Sequence, residues 1–235
     1  LRDYDVIVVG GGCAGLWAAR AAAAGGATTL VLERQGSIGA SIRCAEGVGS
    51  KGISGLLDLD DAWVASRIDG GRFCAPDGGC VDAEEPGCGF VLHKDAFLKG
   101  LAAMAESAGA EVRTGRRVTG LKRLEGGGFR VETGEGPELD CAALVAADGI
   151  ASRVGRMAGL DTHISPGDVF TCVQNTVSPI DVNPHVVEFH LGRAVAPGGY
   201  AWVFPKGDGR ANVGVGITRA GEAGPAMSYL NRFMA

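Results

Sequence analysis

The stretch Asp5-Val6-Ile7-Val8-Val9-Gly10-Gly11-Gly12-Cys13-Ala14-Gly15 carries an apolar run straight into a glycine turn. An alanine-rich segment then leads to a second apolar run that ends at Glu33. Strand, glycine turn, helix and strand in that order make a βαβ unit of the kind that binds dinucleotides. Gly10 suits the tight turn, Gly12 lets the backbone approach a pyrophosphate, and Gly15 lets the helix pack on the strand, with the helix N-terminus facing the phosphates. Glu33 stands where a carboxylate accepts hydrogen bonds from a ribose 2′-hydroxyl. Glycine-rich loops match the bare pattern by chance; the flanking strand, helix and acid make it specific here.

Outward from this unit, a chain of 235 residues can bury a large core in one domain or two closely joined ones. Its formal net charge of −5 argues against a nucleic-acid partner, which calls for a basic face. No apolar stretch reaches the roughly eighteen residues that a membrane span needs, and the N-terminus enters a strand directly, so a cytoplasmic protein is expected. The seven cysteines include no CxxC pair, and no metal site is expected. Cys74, Cys80 and Cys88 share one Gly/Pro-rich stretch and could approach each other, but free buried thiols are the favoured reading.

Beyond Glu33 the chain turns loop-like from Ser37 to Val48, an excursion long enough to suggest the wall of a cofactor site. Ser66 to Val91 reads as antiparallel strands, and Lys94 to Ala108 has Phe97, Leu98, Leu101 and Met104 at helical spacing. Leu139 to Ala147 is continuously apolar, as a buried parallel strand is, and it stops at Asp148-Gly149. The carboxyl end of such a strand is where doubly wound sheets bind ligands. From Phe170 to Thr218 short alternating runs return, as in the sheet of a second domain. Tyr200, Trp202 and Phe204 share one strand face by period two, and Pro205 ends the run.

Four of these segments together resemble the geranylgeranyl reductase family of FAD-dependent oxidoreductases, within the class built like aromatic hydroxylases. They are the GGGCAG turn with Glu33-Arg34, the loop IGASIRCAEGV, Ala147 to Val154, and PGGYAWVFPKGDGRANVGVGI from Pro197 to Ile217. The resemblance implies that Gly10, Gly12 and Gly15 contact the FAD pyrophosphate, with Cys13 and Ala14 in the same turn. It implies that Glu33 and Arg34 hold the adenosine side, that Arg43, Cys44 and Ala45 approach the flavin, and that Asp148 and Gly149 flank the cofactor. The resemblance also implies that Val118 offers backbone bonds to adenine, and Lys94 stands where the family usually has arginine, keeping the charge and losing the planar fork. Cys44 is implied as the catalytic residue beside the flavin, and Glu46 is read as structural. Tyr200, Trp202, Phe204, Pro205 and Gly214 are implied to line the prenyl substrate, which has almost nothing to hydrogen-bond. Asn212, Gly214 and Gly216 would let backbone come close to the flavin ring or the lipid, and His190, Arg193, Lys206 and Arg210 are candidates for a diphosphate or phospholipid head, with solvated charge as the default.

The expected fold is α/β, α+β overall: a Rossmann-like FAD-binding domain over residues 1–66 and 92–160, with an antiparallel substrate domain over 67–91 and 161–235. The expected reaction is FAD-dependent saturation of carbon–carbon double bonds of geranylgeranyl chains on a diphosphate, glycerophospholipid or related carrier. An external donor (NAD(P)H, ferredoxin or a deazaflavin) supplies electrons, and peripheral contact with a membrane is allowed for. The alternatives are a monooxygenase of the same fold, or a flavin-binding fragment without turnover. The last arises because the family's third FAD motif, a late Gly-Asp, is expected well after residue 235, so a chain truncated at its C-terminus is expected.

Overall fold

Ile7, Val8 and Val9 are buried, and the strand they end, β1 (Tyr4–Val9), lies inside a six-stranded sheet. The computed structural model describes residues 2–218 and 224–235. The chain divides into two units, residues 1–42 with 94–163 and residues 43–93 with 164–235.

In the first unit β1 pairs in parallel with β2 (Thr29–Leu32) and with β9 (Leu139–Ala146), and β2 pairs in parallel with β6 (Glu111–Arg113). Beyond β9 the sheet turns antiparallel through β8 (Phe129–Thr133) and β7 (Val118–Arg123), giving the order β6-β2-β1-β9-β8-β7. Helix α1 (Cys13–Ala24) crosses from β1 to β2. Its buried positions Gly15, Leu16, Ala19 and Ala23 are mostly small, so it sits close to the strands with little loss of side-chain entropy. Helix α3 (Lys94–Ser107) packs on α1 and buries Phe97, Leu98, Leu101, Ala102 and Ala105, the face that the spacing predicts, with Met104 half-buried. Cys141 of β9 is fully buried in the cluster of Ile7, Val9, Leu30, Leu32 and Val131, and burial pushes its thiol pKa up, as expected for an inert core cysteine.

The second unit is a seven-stranded sheet in the order β10-β13-β12-β11-β4-β5-β3. Its strands are β3 (Gly47–Gly49), β4 (Val64–Cys74), β5 (Cys80–Leu92), β10 (Thr171–Val177), β11 (Val186–Leu191), β12 (Tyr200–Pro205) and β13 (Ala211–Ile217). All pairings are antiparallel except β11 with β4. Residues 43–66, placed with the first domain on sequence grounds, fall in this unit. Gly47 pairs with Val91 and Val64 with Leu92, so the loop after the first unit is tied to the second sheet at both ends. Helix α2 (Ser50–Ile53) sits on that connection.

One face of this sheet is closed by α5 (Ala226–Met234), whose Ala226, Tyr229 and Leu230 are buried with Ala201, Val203, Val213, Val215 and Ile217. The alternate residues of the same strands lie on the opposite face, where Trp202 and Phe204 cluster with Ile68 and Val91. Cys74 and Cys80 are joined in a disulfide, correcting the expectation of free thiols. They face each other across the β4–β5 hairpin with Cα atoms 4.1 Å apart, while Cys88 stays a half-buried free thiol.

Candidate functional site

In the first unit the turn after β1 is built by close approach. Gly10 has φ +113°, and a Cβ there would strike the carbonyl of Ala147 at the end of β9; a Cβ on Gly15 would strike the carbonyl of Gly10. Strand, turn and helix therefore interlock at positions where only glycine fits. Gly12, the N-cap of α1, is different: a Cβ there would meet nothing within 4 Å. The helix begins without a side-chain cap or an acidic residue in its first turn, so the backbone N–H groups around Cys13 and Ala14 are those a phosphate can take.

Glu33 is half-buried and folds back on this turn. Its Oε2 accepts from Gly11 N–H at 2.6 Å and its Oε1 from Gln35 N–H at 2.8 Å, so the carboxylate shapes the loop as well as pointing a charge at it. Arg34 beside it is exposed. Asp148 stands next to Gly10, whose added Cβ would lie 3.2 Å from its backbone nitrogen. Its Oδ2 accepts from Val154 N–H at 3.0 Å, capping the short helix α4 (Arg153–Met157), while the buried Oδ1 has no hydrogen-bond partner among the described residues. A buried acceptor left open is costly unless a bound group fills it. Gly149 follows at φ +84° and is exposed. The open position at Gly12, the uncapped helix and the orphaned Asp148 oxygen fit the diphosphate and sugar of a dinucleotide cofactor. Lys94 opens α3 and Val118 opens β7, next to a bulge before Gly120; their part in a cofactor site rests on the resemblance alone.

In the second unit, strand register draws a row across the sheet: Phe73, Phe189, Trp202, Gly214 and Gln174 are successive partners on β4, β11, β12, β13 and β10. Partners in register share a face. Phe73 stacks on Phe189 at 5.2 Å between centroids, and Phe189 meets Tyr200 and Phe204 edge-on at 5.5 Å each. Tyr200, Trp202 and Phe204 share this face as the alternation predicts. Their exposure differs: Trp202 and Phe204 are core residues, whereas Tyr200 is 43% exposed and Phe73 42%, so the accessible apolar surface is theirs. Pro205 is buried at the end of β12. The room at Gly214 is taken by the Trp202 indole, which a Cβ there would strike, so this glycine seats the tryptophan and leaves no space for a ligand.

The segment Arg43-Cys44-Ala45-Glu46 lies against this face. The Cys44 carbonyl accepts from Gln174 Nε2 at 2.9 Å and from Asn212 Nδ2 at 3.5 Å, and Asn212 Oδ1 in turn accepts from Trp202 Nε1 at 2.9 Å. Ala45 packs beside Trp202 and Phe204. Glu46 takes φ +71°, and its N–H reaches Cys44 Sγ at 3.3 Å. Holding a glutamate in the left-handed region costs energy; Lys206 Nζ at 2.5 Å from Oε2 and Leu92 N–H donating to Glu46 O at 3.0 Å hold it, and the same ammonium donates to Leu92 O at 2.8 Å. Lys206 was a candidate for a lipid or diphosphate head; its side chain is 12% exposed and committed to this buried pair. Arg210 is paired with Asp208 and His190 with Glu188. Sequence reasoning missed Gln174 altogether, since a glutamine in a polar strand carries no signal, and read Asn212 only as a backbone position.

Two family models match the chain, an FAD binding domain over residues 5–68 and a geranylgeranyl reductase catalytic domain over residues 168–235. Among curated proteins, the digeranylgeranylglycerophospholipid reductase of Methanosarcina acetivorans is 41% identical over 98% of this chain and 59% of its own length, and that of Methanocella arvoryzae is 42% identical over 99% and 62%. The chain thus spans about three fifths of the length of the curated relatives it matches. Among solved structures, a geranylgeranyl bacteriochlorophyll reductase-like protein from Thermoplasma acidophilum superposes with a TM-score of 0.89 at 35% identity, over 98% of this chain and 61% of the other. A halogenase solved with phloroglucinol and FAD superposes at 0.77 with 16% identity, over 98% of this chain and 55% of the other, a likeness of fold.

Proposed function

The chain belongs to the geranylgeranyl reductase family of flavoproteins, and from that premise we propose that it serves the FAD-dependent saturation of carbon–carbon double bonds in geranylgeranyl chains carried on a glycerophospholipid or a diphosphate. The observation that carries this reading is the Cys44 segment, hydrogen-bonded to Gln174 and Asn212 and packed through Ala45 on the cluster of Trp202 and Phe204, on the sheet face that also carries Phe73, Phe189 and Tyr200, a surface suited to a polyene.

Reduced FAD, when bound, supplies the hydride for one carbon of the double bond. In this reading Gly12, Cys13, Ala14 and Gly15 hold the pyrophosphate with backbone N–H groups, Gly10 lines it while its own N–H stays on Leu32 O at 2.9 Å, and Glu33 and Asp148 accept hydrogen bonds from the sugar hydroxyls. The accessible rings of Tyr200 and Phe73 take the prenyl chain and exclude water from it. Cys44 holds a proton at Sγ for the second carbon, because adding hydride to an isolated alkene needs a proton delivered to the other end. An external donor (nicotinamide, ferredoxin or deazaflavin) returns the electrons. The lipid would be met at a cytoplasmic membrane surface; no helix among the described residues is long and apolar enough to cross a membrane.

The test is anaerobic mixing of the reduced, FAD-loaded protein with a geranylgeranyl glycerophospholipid. Flavin reoxidation with two hydrogens gained per bond in the lipid is expected, and Cys44→Ser should lower its rate by about 10²-fold, the contribution of a positioned proton donor. Absence of reoxidation would refute the reductase reading.

A further inference from the structure

Resting on the role just given to Cys44, we propose that Gln174 is a positioning residue for the reaction: with Asn212 it clamps the Cys44 carbonyl and so fixes where the sulfur sits on the aromatic face. Gln174 lies in the register row that carries Phe73, Phe189 and Trp202, so its side chain rises from the sheet on the face that bears the aromatic rings. Its amide donates to Cys44 O at 2.9 Å, across 130 residues of sequence. The second donor to the same oxygen, Asn212 Nδ2, is set by the Trp202 indole N–H on Asn212 Oδ1, and Asn212 is 2% exposed. A carbonyl has two lone pairs, so one oxygen can accept from both amides. On the other side of the same residue, Glu46 N–H meets Sγ. Cys44 is thereby held at both its carbonyl and its sulfur, and the carbonyl hold comes from strands β10 and β13. A loop carbonyl on a surface needs no such arrangement, because water satisfies it. A proton donor does, because a displacement of about 1 Å at a reacting group costs on the order of 10²-fold in rate.

The experiment uses Gln174→Met, which keeps length and removes the donor, and Gln174→Glu, which replaces the donor by an acceptor at neutral pH. Cys44 alkylation by iodoacetamide is followed peptide by peptide, with Cys172 as internal control; it lies two residues from Gln174 on the same strand and is exposed. Both variants should alkylate Cys44 about fivefold faster, the population change expected for one neutral hydrogen bond, with Cys172 unchanged. In the FAD-loaded protein both should lower kcat at least fivefold with KM for the lipid unchanged. An unchanged Cys44 rate overturns the proposal. So does joint acceleration of Cys44 and Cys172, which would mean a loosened strand, or a rise in KM alone. Retained turnover in Cys44→Ser would instead strike the role of Cys44, leaving the clamp to be judged on the alkylation rates.

Discussion

Replacing Lys206 by methionine removes the cation from a pair whose carboxylate has little water to fall back on. The Glu46 side chain is 9% exposed and that of Lys206 12%, with 2.5 Å between Nζ and Oε2. Breaking one side of a buried pair leaves an uncompensated charge and costs about 3–5 kcal/mol. Here Leu92 O also loses a donor, and Glu46 loses one of the contacts that hold it at φ +71°. With a urea m-value of about 2 kcal/mol/M, the midpoint should fall by roughly 1.5–2.5 M. The assay is urea unfolding followed by tryptophan fluorescence, since Trp202 is buried in the second unit's core. The control is Glu46→Gln/Lys206→Met, which removes both charges. It should be less destabilised than Lys206→Met alone, giving a coupling energy of about 2 kcal/mol. Additive single costs, or a cost below about 1 kcal/mol for Lys206→Met, would place the pair with solvated surface bridges and refute the reasoning.

Gly12→Ala should leave thermal unfolding within about 1 °C of wild type while weakening FAD binding at least tenfold, because its Cβ meets no protein atom and intrudes where a phosphate would lie. Gly15→Ala, whose Cβ strikes the Gly10 carbonyl, should lose about 1–3 kcal/mol of stability as well; flavin fluorescence titration and calorimetry separate the two. Asp140 is hydrogen-bonded to Arg130, and Glu111 to Arg113 and Tyr4, which holds both carboxyls below the usual range. Their folded pKa values lie under the unfolded ones, so their stabilisation is present above pH ~4 and is lost as pH falls through the depressed values. Asp140→Asn should flatten the acid limb of a melting-temperature profile, and an unchanged limb would contradict the assignment.

The βαβ unit was legible because everything that specifies it is local: the Gly10, Gly12 and Gly15 spacing answers to contacts within one turn, one helix and one strand end. The position of Glu33 at the end of the second strand was legible, but its grip on Gly11 N–H was not, since a free acid and a loop-shaping acid look alike in sequence. The boundary at residue 66 misjudged the second unit for a related reason. Strand β3 is Gly-Val-Gly, which carries no strand propensity, and only its pairing with Gly89 to Val91 makes it part of a sheet. The period of the Tyr200 strand was readable and its burial was not. Gly214 read as space for a ligand, when its missing side chain is what admits the Trp202 ring. Lys206 read as solvated because its partner lies 160 residues away.

The Cys44 segment has no regular structure, and its glutamate sits in a conformation disfavoured for that residue, so local preference alone would not hold it in this geometry. The contacts that hold it come from Gln174, Lys206 and Asn212, with the Phe204 ring so close that a Cβ on Gly47 would lie 2.9 Å from its Cε2. These four belong to β10, β12, β13 or the turn between β12 and β13, and Leu92 of β5 adds its N–H to Glu46 O. The segment is therefore shaped by the sheet that also carries the aromatic face, so cysteine and face are positioned by the same framework. A substitution in those strands that spares the fold can still move the sulfur, because each hydrogen bond on Cys44 is worth only about 1 kcal/mol, whereas the sheet is held by its strand pairing and by the core under α5.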